Sequence, residues 1–295
     1  MLQQFYAIIP RRLWQRMAGR RTGLAADGGT LDRRHVESRW LHLTRPVVPV
    51  PGLPAAWDGL RIAHLTDLHA GPICGLAYLR RVVERTNAAS PDVIVVTGDF
   101  TNDPRVVTPE LIDLLATLRA PLGRFAVLGN HDHTAGPRRV AEGVAAAGIE
   151  LLTNSHVILR RAGQALCLAG VDDYMHGAPD ARRALAGVDP AVPRVVLCHN
   201  PDYVPYWPPD VRADLVLCGH THGGQFRVPC GPAPLASARH RRYIEGLVWA
   251  KRFWVYTSRG VGMSHIPLRL NCRPELPVIT LRHGTVRGKA AAARA

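Results

Sequence analysis

The chain has 295 residues, of which 47% are hydrophobic and 20% are charged. These values exclude a disordered or fibrous protein and are sufficient for one large α/β domain. Lysine and arginine number 37 against 23 acidic residues, a formal net charge of +14, so the surface is expected to attract phosphates, nucleic acid or an acidic membrane leaflet.

The N-terminal 57 residues are predicted to form a basic extension. Apolar residues recur at helical spacing between arginines, namely Leu2, Phe5, Tyr6, Ile9, Leu13 and Met17. The arginines interrupt any run that could serve as a signal peptide or membrane span. Such a segment suits an anionic membrane surface, and a packed or frayed terminal helix is an equal alternative. The stretches 22–34 and 47–54 are predicted to be irregular connectors because of their glycine and proline content.

The six cysteines show no CxxC pairing. A chain of this size does not need disulfides, and Cys167, Cys198 and Cys218 lie in predicted buried strands, where they are expected to act as small core residues. We therefore predict a reducing compartment. The expected localisation is the cytoplasm, with peripheral contact at the inner face of the cell membrane as an extension of that prediction.

An alternation of strands and helices begins near residue 58. Strands are predicted at 60–66, 93–97 and 125–128, with helices near 76–88, 109–118 and 137–147. From residue 151 the pattern is richer in strands, with a hairpin at 156–160 and 165–171 and further strands at 194–198, 214–218, 253–257 and 277–282. This pattern predicts an α/β fold over residues 58–283 in four layers, α/β/β/α, with two mixed sheets flanked by helices. The tail 284–295 is predicted to be disordered.

Side chains able to bind metal follow five of these strands. They are Asp67 and His69, then Asp99, then Asn130 with His131 and Asp132, then His199, then His220 with His222. Because such strands deliver their carboxyl ends to one edge of a sheet, we expect the side chains to gather there. Carboxylate, imidazole and amide ligands suit hard and borderline divalent cations. Burying these groups without a cation would cost several kcal/mol per unpaired group, so the pattern predicts a metal centre.

The five motifs, in this order, resemble the motif blocks of the calcineurin-like metallophosphoesterases. The segments 168–173, 199–202, 222–225, 258–262 and 273–275 resemble the bacterial branch that contains the YaeI- and YkuE-type phosphodiesterases. The resemblance extends from about residue 58 to residue 282. It implies the calcineurin-like phosphoesterase fold and a metal-dependent hydrolase.

Carried over to this sequence, the resemblance implies two divalent metal ions that share the bridging ligand Asp99. The other ligands would be Asp67, His69 and His222 for one ion and Asn130, His199 and His220 for the second. A hydroxide between the ions would attack phosphorus in line. His131 would stabilise the transition state, and Asp132 would orient His131. Mn²⁺ is the expected metal, with Fe²⁺ and Zn²⁺ as alternatives because all three accept such ligands.

Some polar residues outside these motifs have open roles. Relatives often carry an acidic residue where this chain has Asn102, which leaves a role beside the metals undecided. Asp172 and Asp173 are predicted to cap a turn. The arginines at 239–242 are interpreted either as a solvated loop or as a site for a polyanionic head group, and His265 as a residue of a loop that borders the substrate.

The implied substrate is a phosphodiester or pyrophosphate. The branch resemblance suggests lipid-linked material such as UDP-2,3-diacylglucosamine of lipid A synthesis, and the aromatic and proline run at 203–209 is compatible with an acyl site that faces a membrane. The alternatives are a soluble nucleotide phosphodiesterase or nuclease, for which nucleic acid is a partner, and a non-catalytic interaction scaffold on the same fold.

Overall fold

A computed structural model describes residues 36–103, 105, 107–227, 238–264 and 267–284. The predicted amphipathic segment in the first 21 residues, the connector at 22–34, His265 and the tail beyond Gly284 lie outside the described residues. No helix in the described part of the chain is both long enough and apolar enough to cross a membrane.

The strands and α-helices of this part follow one another in chain order. The strands are β1 (His42–Thr44), β2 (Val47–Val50), β3 (Arg61–Leu65), β4 (Val93–Thr97), β5 (Arg124–Val127), β6 (Glu150–Leu151), β7 (Ser155–Arg161), β8 (Gln164–Gly170), β9 (Arg194–Leu197), β10 (Leu215–Cys218), β11 (Gly246–Trp249), β12 (Trp254–Thr257) and β13 (Glu275–His283). The α-helices are α1 (Leu76–Ala88), α2 (Pro109–Ala116), α3 (Asn130–Ala135), α4 (Pro137–Ala146) and α5 (Ala181–Ala184).

The first sheet has the order β1-β13-β3-β4-β5-β6, and β2 also pairs with β13. Strands β3, β4, β5 and β6 are parallel, while β13 is antiparallel to β3. Every residue of β4 is buried, as expected for a parallel strand covered on both faces. Helix α1 buries Tyr78, Leu79, Val82, Val83 and Thr86, a spacing that places one apolar face against the sheet.

The second sheet has the order β11-β12-β10-β9-β8-β7. The predicted hairpin is present as the antiparallel pair β7 and β8. Strands β8, β9, β10 and β12 are parallel, and β11 closes the edge in the antiparallel direction. Both sheets are therefore mixed, as predicted.

Strand alternation places the two sheets face to face. In β3, Ile62 belongs to a buried cluster that contains Leu168 and Leu217 of the second sheet, whereas Ala63 and Leu65 belong to the cluster formed with α1, α2 and α4. A third cluster covers the outer face of the second sheet and includes residues of α5. Because successive side chains of a strand point to opposite faces, this distribution produces four layers. The predicted α/β/β/α architecture is confirmed.

The segment 47–54 differs from the irregular connector that we predict for it. Residues 47–50 form β2, which pairs in parallel with Thr280 to His283 of β13. Proline is compatible with a strand that lies at a sheet edge, and Pro49 therefore does not prevent the pairing. Strands β1 and β2 also mean that the first sheet contains residues from the range assigned to the N-terminal extension.

Candidate metal centre

The loops that follow β3, β4, β5, β9 and β10 meet at the carboxyl ends of their strands. The backbone N–H of Asp67 donates to Gly98 O at 3.0 Å, and that of His220 lies 3.1 Å from both carboxylate oxygens of Asp67. His199 Nδ1 lies 2.7 Å from Thr97 O, which joins the second sheet to the first. The seven residues predicted as metal ligands therefore converge on one region.

One group of candidate ligands consists of Asp67, His69 and His222, all buried. His222 Nε2 lies 3.3 Å from Asp67 Oδ1 and 3.0 Å from His69 Nε2. His69 Nε2 lies 3.9 Å from the same carboxylate oxygen. Two imidazole nitrogens and one carboxylate oxygen thus point toward a common position.

A second group consists of Asp99, His199 and His220, which are also buried. His199 Nε2 lies 3.3 Å from Asp99 Oδ2, and Asn130 Oδ1 lies 3.0 Å from His199 Nε2 and 2.8 Å from His220 Nδ1. Asp99 Oδ2 is also 3.6 Å from His69 Nε2 of the first group. Asp99 therefore lies between the two groups.

Five of these seven residues have positive φ angles, which non-glycine residues seldom adopt. The values are 54° for Asp67, 45° for His69, 55° for Asp99, 68° for His220 and 51° for His222. Each such residue costs on the order of 1–3 kcal/mol, and the conformation persists where the surroundings impose it. The strain is therefore concentrated in the turns that direct these side chains toward one another.

Two glycines allow the turns to approach closely. A Cβ at Gly129 would lie 2.2 Å from Asp99 Oδ1 and 2.8 Å from His199 Cε1. At Gly219 it would lie 2.5 Å from Asp67 Oδ2. Any larger residue at these positions would displace the carboxylates, so glycine is required by packing against the site.

Burial dominates the electrostatics of the first group. It raises the pKa of Asp67 to about 6 and lowers the pKa of His69 to about 3. Burial likewise lowers the pKa of His220 to about 4. These histidines are consequently neutral at neutral pH, and neutral imidazole is the form that binds a metal ion.

Asp99 and His199 form a closely interacting pair. Burial opposes charge on both groups, but the neighbouring imidazolium lowers the pKa of Asp99 well below its usual range, and the carboxylate raises the pKa of His199 well above its usual range. An ion pair of this kind supplies locally the positive charge that a bound cation would bring. A bound cation would displace the imidazolium proton, and the Asp99 oxygen and the His199 nitrogen would then join the neutral histidines as ligands that suit divalent cations.

Further hydrogen bonds orient the imidazole rings. Asn102 Oδ1 lies 2.7 Å from His69 Nδ1, and Thr97 O lies 2.7 Å from His199 Nδ1. Partners of this kind set the ring orientation of metal-binding histidines. Asn102 therefore contacts a candidate ligand even though it is not acidic.

His131 and Asp132 are neighbours in the sequence but have different surroundings: His131 is partly exposed, and Asp132 is buried. The His131 ring packs edge-on against His69 with a centroid distance of 4.9 Å and is partly exposed. One of its ring nitrogens lies near a ring nitrogen of His69 and a carboxylate oxygen of Asp99. Asp132 is buried, and its carboxylate accepts N–H groups of Phe100, Thr101 and Gly129. Burial and the charge of Asp99 raise the pKa of Asp132 to about 8. The carboxylate of Asp132 thus joins the loops after β4 and β5, and its orientation of His131 stays a prediction.

Two further charged residues, Asp173 and Arg269, lie outside the predicted ligand set. Asp173 Oδ2 accepts the N–H groups of Met175 and His176, as expected for a turn cap. Sequence reasoning missed Arg269, whose Nη2 lies 3.3 Å from His222 Nδ1. A charged residue inside the apolar stretch 266–270 was the available signal.

Comparisons with known proteins place this geometry in context. A family described as calcineurin-like phosphoesterase matches residues 60–224. The chain is 32% identical to the uncharacterized metallophosphoesterase YkuE of Bacillus subtilis over 88% of this chain and 92% of that protein. It is 35% identical to phosphodiesterase YaeI of Escherichia coli over 75% of this chain and 82% of that protein. It is 30% identical to UDP-2,3-diacylglucosamine pyrophosphatase LpxG of Chlamydia trachomatis over 66% of this chain and 73% of that protein.

Proposed function

The chain belongs to the calcineurin-like phosphoesterase family, and we propose that it hydrolyses a phosphodiester or pyrophosphate bond with two divalent metal ions. It is a metallophosphoesterase, and members of this family use divalent metals. The observation that carries the proposal is the placement of Asp99 between two groups of buried ligands.

In the proposed site, each metal ion would be held by its own set of ligands, and both sets would include Asp99. The first set is Asp67, His69 and His222, and the second is Asn130, His199 and His220. When bound, two such ions lower the pKa of water and neutralise charge on the phosphoryl oxygens. Mn²⁺ is the proposed metal, with Fe²⁺ and Zn²⁺ as alternatives, since all three accept these ligands.

The chain's own residues have separate proposed tasks. His131 is partly exposed beside His69 and Asp99, where its ring can hydrogen-bond a phosphoryl oxygen and protonate the leaving group. Asp132 holds the loops after β4 and β5 in register through three backbone N–H groups. The buried candidate ligands exclude bulk water from one side of the substrate, which strengthens the local electrostatic interactions.

Asp99→Ala tests this function directly. The variant removes the shared ligand, so we expect hydrolysis of bis-p-nitrophenyl phosphate with Mn²⁺ to fall by about 10²- to 10³-fold, the typical cost of losing one group that stabilises the transition state. Asp103→Ala is the control, because its carboxylate pairs with Arg105 outside both groups. Wild-type rates for Asp99→Ala would contradict the proposed function.

The proposed substrate is lipid-linked, with UDP-2,3-diacylglucosamine as the specific candidate. Its support is the similarity to a protein named for that activity and the net charge of +14. Tyr206, in the aromatic run after His199, is exposed and stacks on Tyr174 at 5.7 Å, and the loop with Arg239 and His240 is held by Asp202. Aromatic and basic groups of this kind suit a phosphorylated amphiphile.

Mass spectrometry of reactions with UDP-2,3-diacylglucosamine, dinucleotides and single-stranded DNA tests the substrate. Selective release of UMP supports the lipid-linked proposal, whereas turnover restricted to dinucleotides or DNA supports the nucleotide phosphodiesterase alternative.

For the predicted membrane contact of the N-terminus, deletion of residues 1–21 is expected to reduce co-sedimentation with anionic liposomes. Equal co-sedimentation would remove that part of the proposal.

A further inference from the structure

Arg269 is a buried cation outside the ligand motifs. It is 1% exposed, and no described carboxylate forms an ion pair with it. An arginine side chain stays protonated in a protein, so its charge must be offset by dipoles in a buried position. The partners that offset the charge therefore indicate what this residue organises.

These partners are backbone carbonyls from three segments. Nη2 donates to Gly262 O at 2.6 Å and Arg259 O at 2.8 Å, and Nε donates to Gly262 O at 3.1 Å. Nη1 donates to His222 O at 3.3 Å and Cys272 O at 3.4 Å. The planar guanidinium can satisfy several acceptors in fixed directions, which an ammonium group cannot do.

The backbone of the segment 259–262 is hydrogen-bonded to the backbone of Asp67 and of the residue before it. The N–H of Gly262 donates to Asp67 O at 2.8 Å, and the N–H of Val261 donates to Thr66 O at 3.1 Å. A Cβ at Gly262 would lie 2.4 Å from Asp67 O. A shift of this segment would therefore displace the backbone of Asp67.

Arg269 also contacts His222 itself. In addition to the bond from Nη1 to His222 O, Nη2 lies 3.3 Å from His222 Nδ1, while the other ring nitrogen, Nε2, faces Asp67. Within the described residues, its hydrogen bonds do not reach Asn130, His199 or His220. The contacts of Arg269 thus involve only one of the two ligand groups.

We infer that Arg269 is a positioning residue for the metal ion held by Asp67, His69 and His222, and that the other ion does not depend on it. This inference rests on the proposed function. The guanidinium joins the turn of His222 to the segment behind Asp67, so two ligands of one ion share a single support. Partners beside metal ligands commonly change metal affinity by about 10- to 100-fold.

Arg269→Lys tests this role, with Arg194→Lys as a matched control. Arg194 is also buried and donates to Val188 O at 2.9 Å and Asp189 O at 3.2 Å, but it lies at the first residue of β9 and so at the end away from the site. After gel filtration in metal-free buffer, we expect two Mn²⁺ per chain in the wild type and in Arg194→Lys. Arg269→Lys should retain about one, and calorimetry should show a Kd at least about 10-fold weaker for the lost ion.

A double variant identifies which ion is lost. In Asn130→Ala, only the ion at Asp67, His69 and His222 should remain, and adding Arg269→Lys should then remove it. Two tightly bound ions in Arg269→Lys would overturn the inference while leaving the proposed function intact. Fewer than two ions in the wild type would contradict the proposed function itself.

Arg269→Gln serves where the lysine variant does not fold, because it removes the buried charge and keeps an amide donor. Hydrogen exchange on the wild type gives a test without substitution. Addition of Mn²⁺ should slow exchange of the amides at 259–262, and this effect should persist in Asn130→Ala. Unchanged exchange at 259–262 in the wild type would overturn the coupling.

Discussion

At the scale of single residues, the same imidazole group has different consequences in different surroundings. His64 and His69 are both buried, and burial lowers the pKa of each to about 3. His69 faces carboxylates and His222, whereas His64 Nε2 lies 2.8 Å from Thr97 Oγ1 and its ring packs against Tyr256. His64 is therefore a core residue, and His69 has the surroundings of a ligand.

His64 should make folding sensitive to acid. Its pKa in the folded state lies below the unfolded value of 6.5, so the stabilisation is present above pH 6.5 and is lost as pH falls from 6.5 toward 3. By pH 5 the loss amounts to about 2 kcal/mol. In His64→Gln, the decrease in unfolding free energy between pH 7 and pH 5 should be smaller by about that amount, measured by urea denaturation. The exposed His176 provides the control as His176→Gln, and equal decreases in His64→Gln and wild type would contradict the prediction.

His131 should affect the rate without affecting metal content. His131→Ala removes the proposed acid beside His69, and we expect kcat to fall by about 10²- to 10⁴-fold while two Mn²⁺ remain bound. His133→Ala is a suitable comparison because His133 Nε2 contacts Asp172 at 3.0 Å instead. Steady-state kinetics measures kcat, and elemental analysis measures the bound Mn²⁺. An unchanged kcat in His131→Ala would exclude His131 as the acid that protonates the leaving group.

At the scale of secondary-structure elements, the strand ends determine the site. Strands β3, β4, β9 and β10 are buried throughout or nearly so, and the chain turns abruptly after β3, β4 and β10. The positive φ angles of Asp67, Asp99 and His220 occur in these turns. Rigid strands thus support strained turns, and neighbouring glycines leave room for the carboxylates.

Gly129→Ala should disrupt this arrangement. Its Cβ would overlap Asp99 Oδ1 and crowd His199, so both metal groups should be disturbed and kcat/KM should fall by at least about 10²-fold, as expected for displacements near 1 Å. Gly75→Ala is the matched change, because Gly75 has φ −71° and no atom within 4 Å of its added Cβ. A Gly129→Ala protein with wild-type kcat/KM and metal content would contradict the packing argument.

At the scale of the whole molecule, the site depends on how the two sheets are joined. Glu275 of β13 accepts hydrogen bonds from Thr44 in the first sheet and Tyr256 in the second, each at 2.7 Å. Trp254 of β12 donates to Pro49 O at 3.0 Å. Each group of candidate ligands combines residues that follow strands of the first sheet with residues that follow strands of the second. These contacts between the sheets therefore help to keep the ligands of each group at a fixed distance.

Metal binding should therefore stabilise the whole fold. At a free Mn²⁺ concentration 100-fold above Kd, each site contributes about 2.7 kcal/mol, which corresponds to a rise in Tm of about 4–5 °C per site for a protein of this size. Calorimetry of wild type with Mn²⁺ and with EDTA measures the rise. Asp99→Ala should show a much smaller rise, and an EDTA-insensitive Tm in the wild type would contradict metal-linked stability.

The sequence by itself was sufficient to predict the layered α/β architecture and the family. Helix α1 and strand β4 have the predicted bounds because their apolar periodicity is local. The ligand motifs were recognisable because each is a short segment directly after such a strand. The general rule that parallel strands share their carboxyl edge predicts convergence within one sheet. The ligands come from two sheets, and only the tertiary structure brings the two edges together.

Only the tertiary structure decided which distant groups touch. Strand β2 exists because β13 supplies its pairing partner, and its proline-rich sequence had suggested a connector. The contacts of His69 with Asn102, of Asp132 with the N–H groups of Phe100 and Thr101, and of Arg269 with His222 O join residues that are 31 to 47 positions apart in the sequence. Residue patterns record local periodicity and strand ends, whereas these contacts depend on the folding of the entire chain, and that is the physical reason for the division.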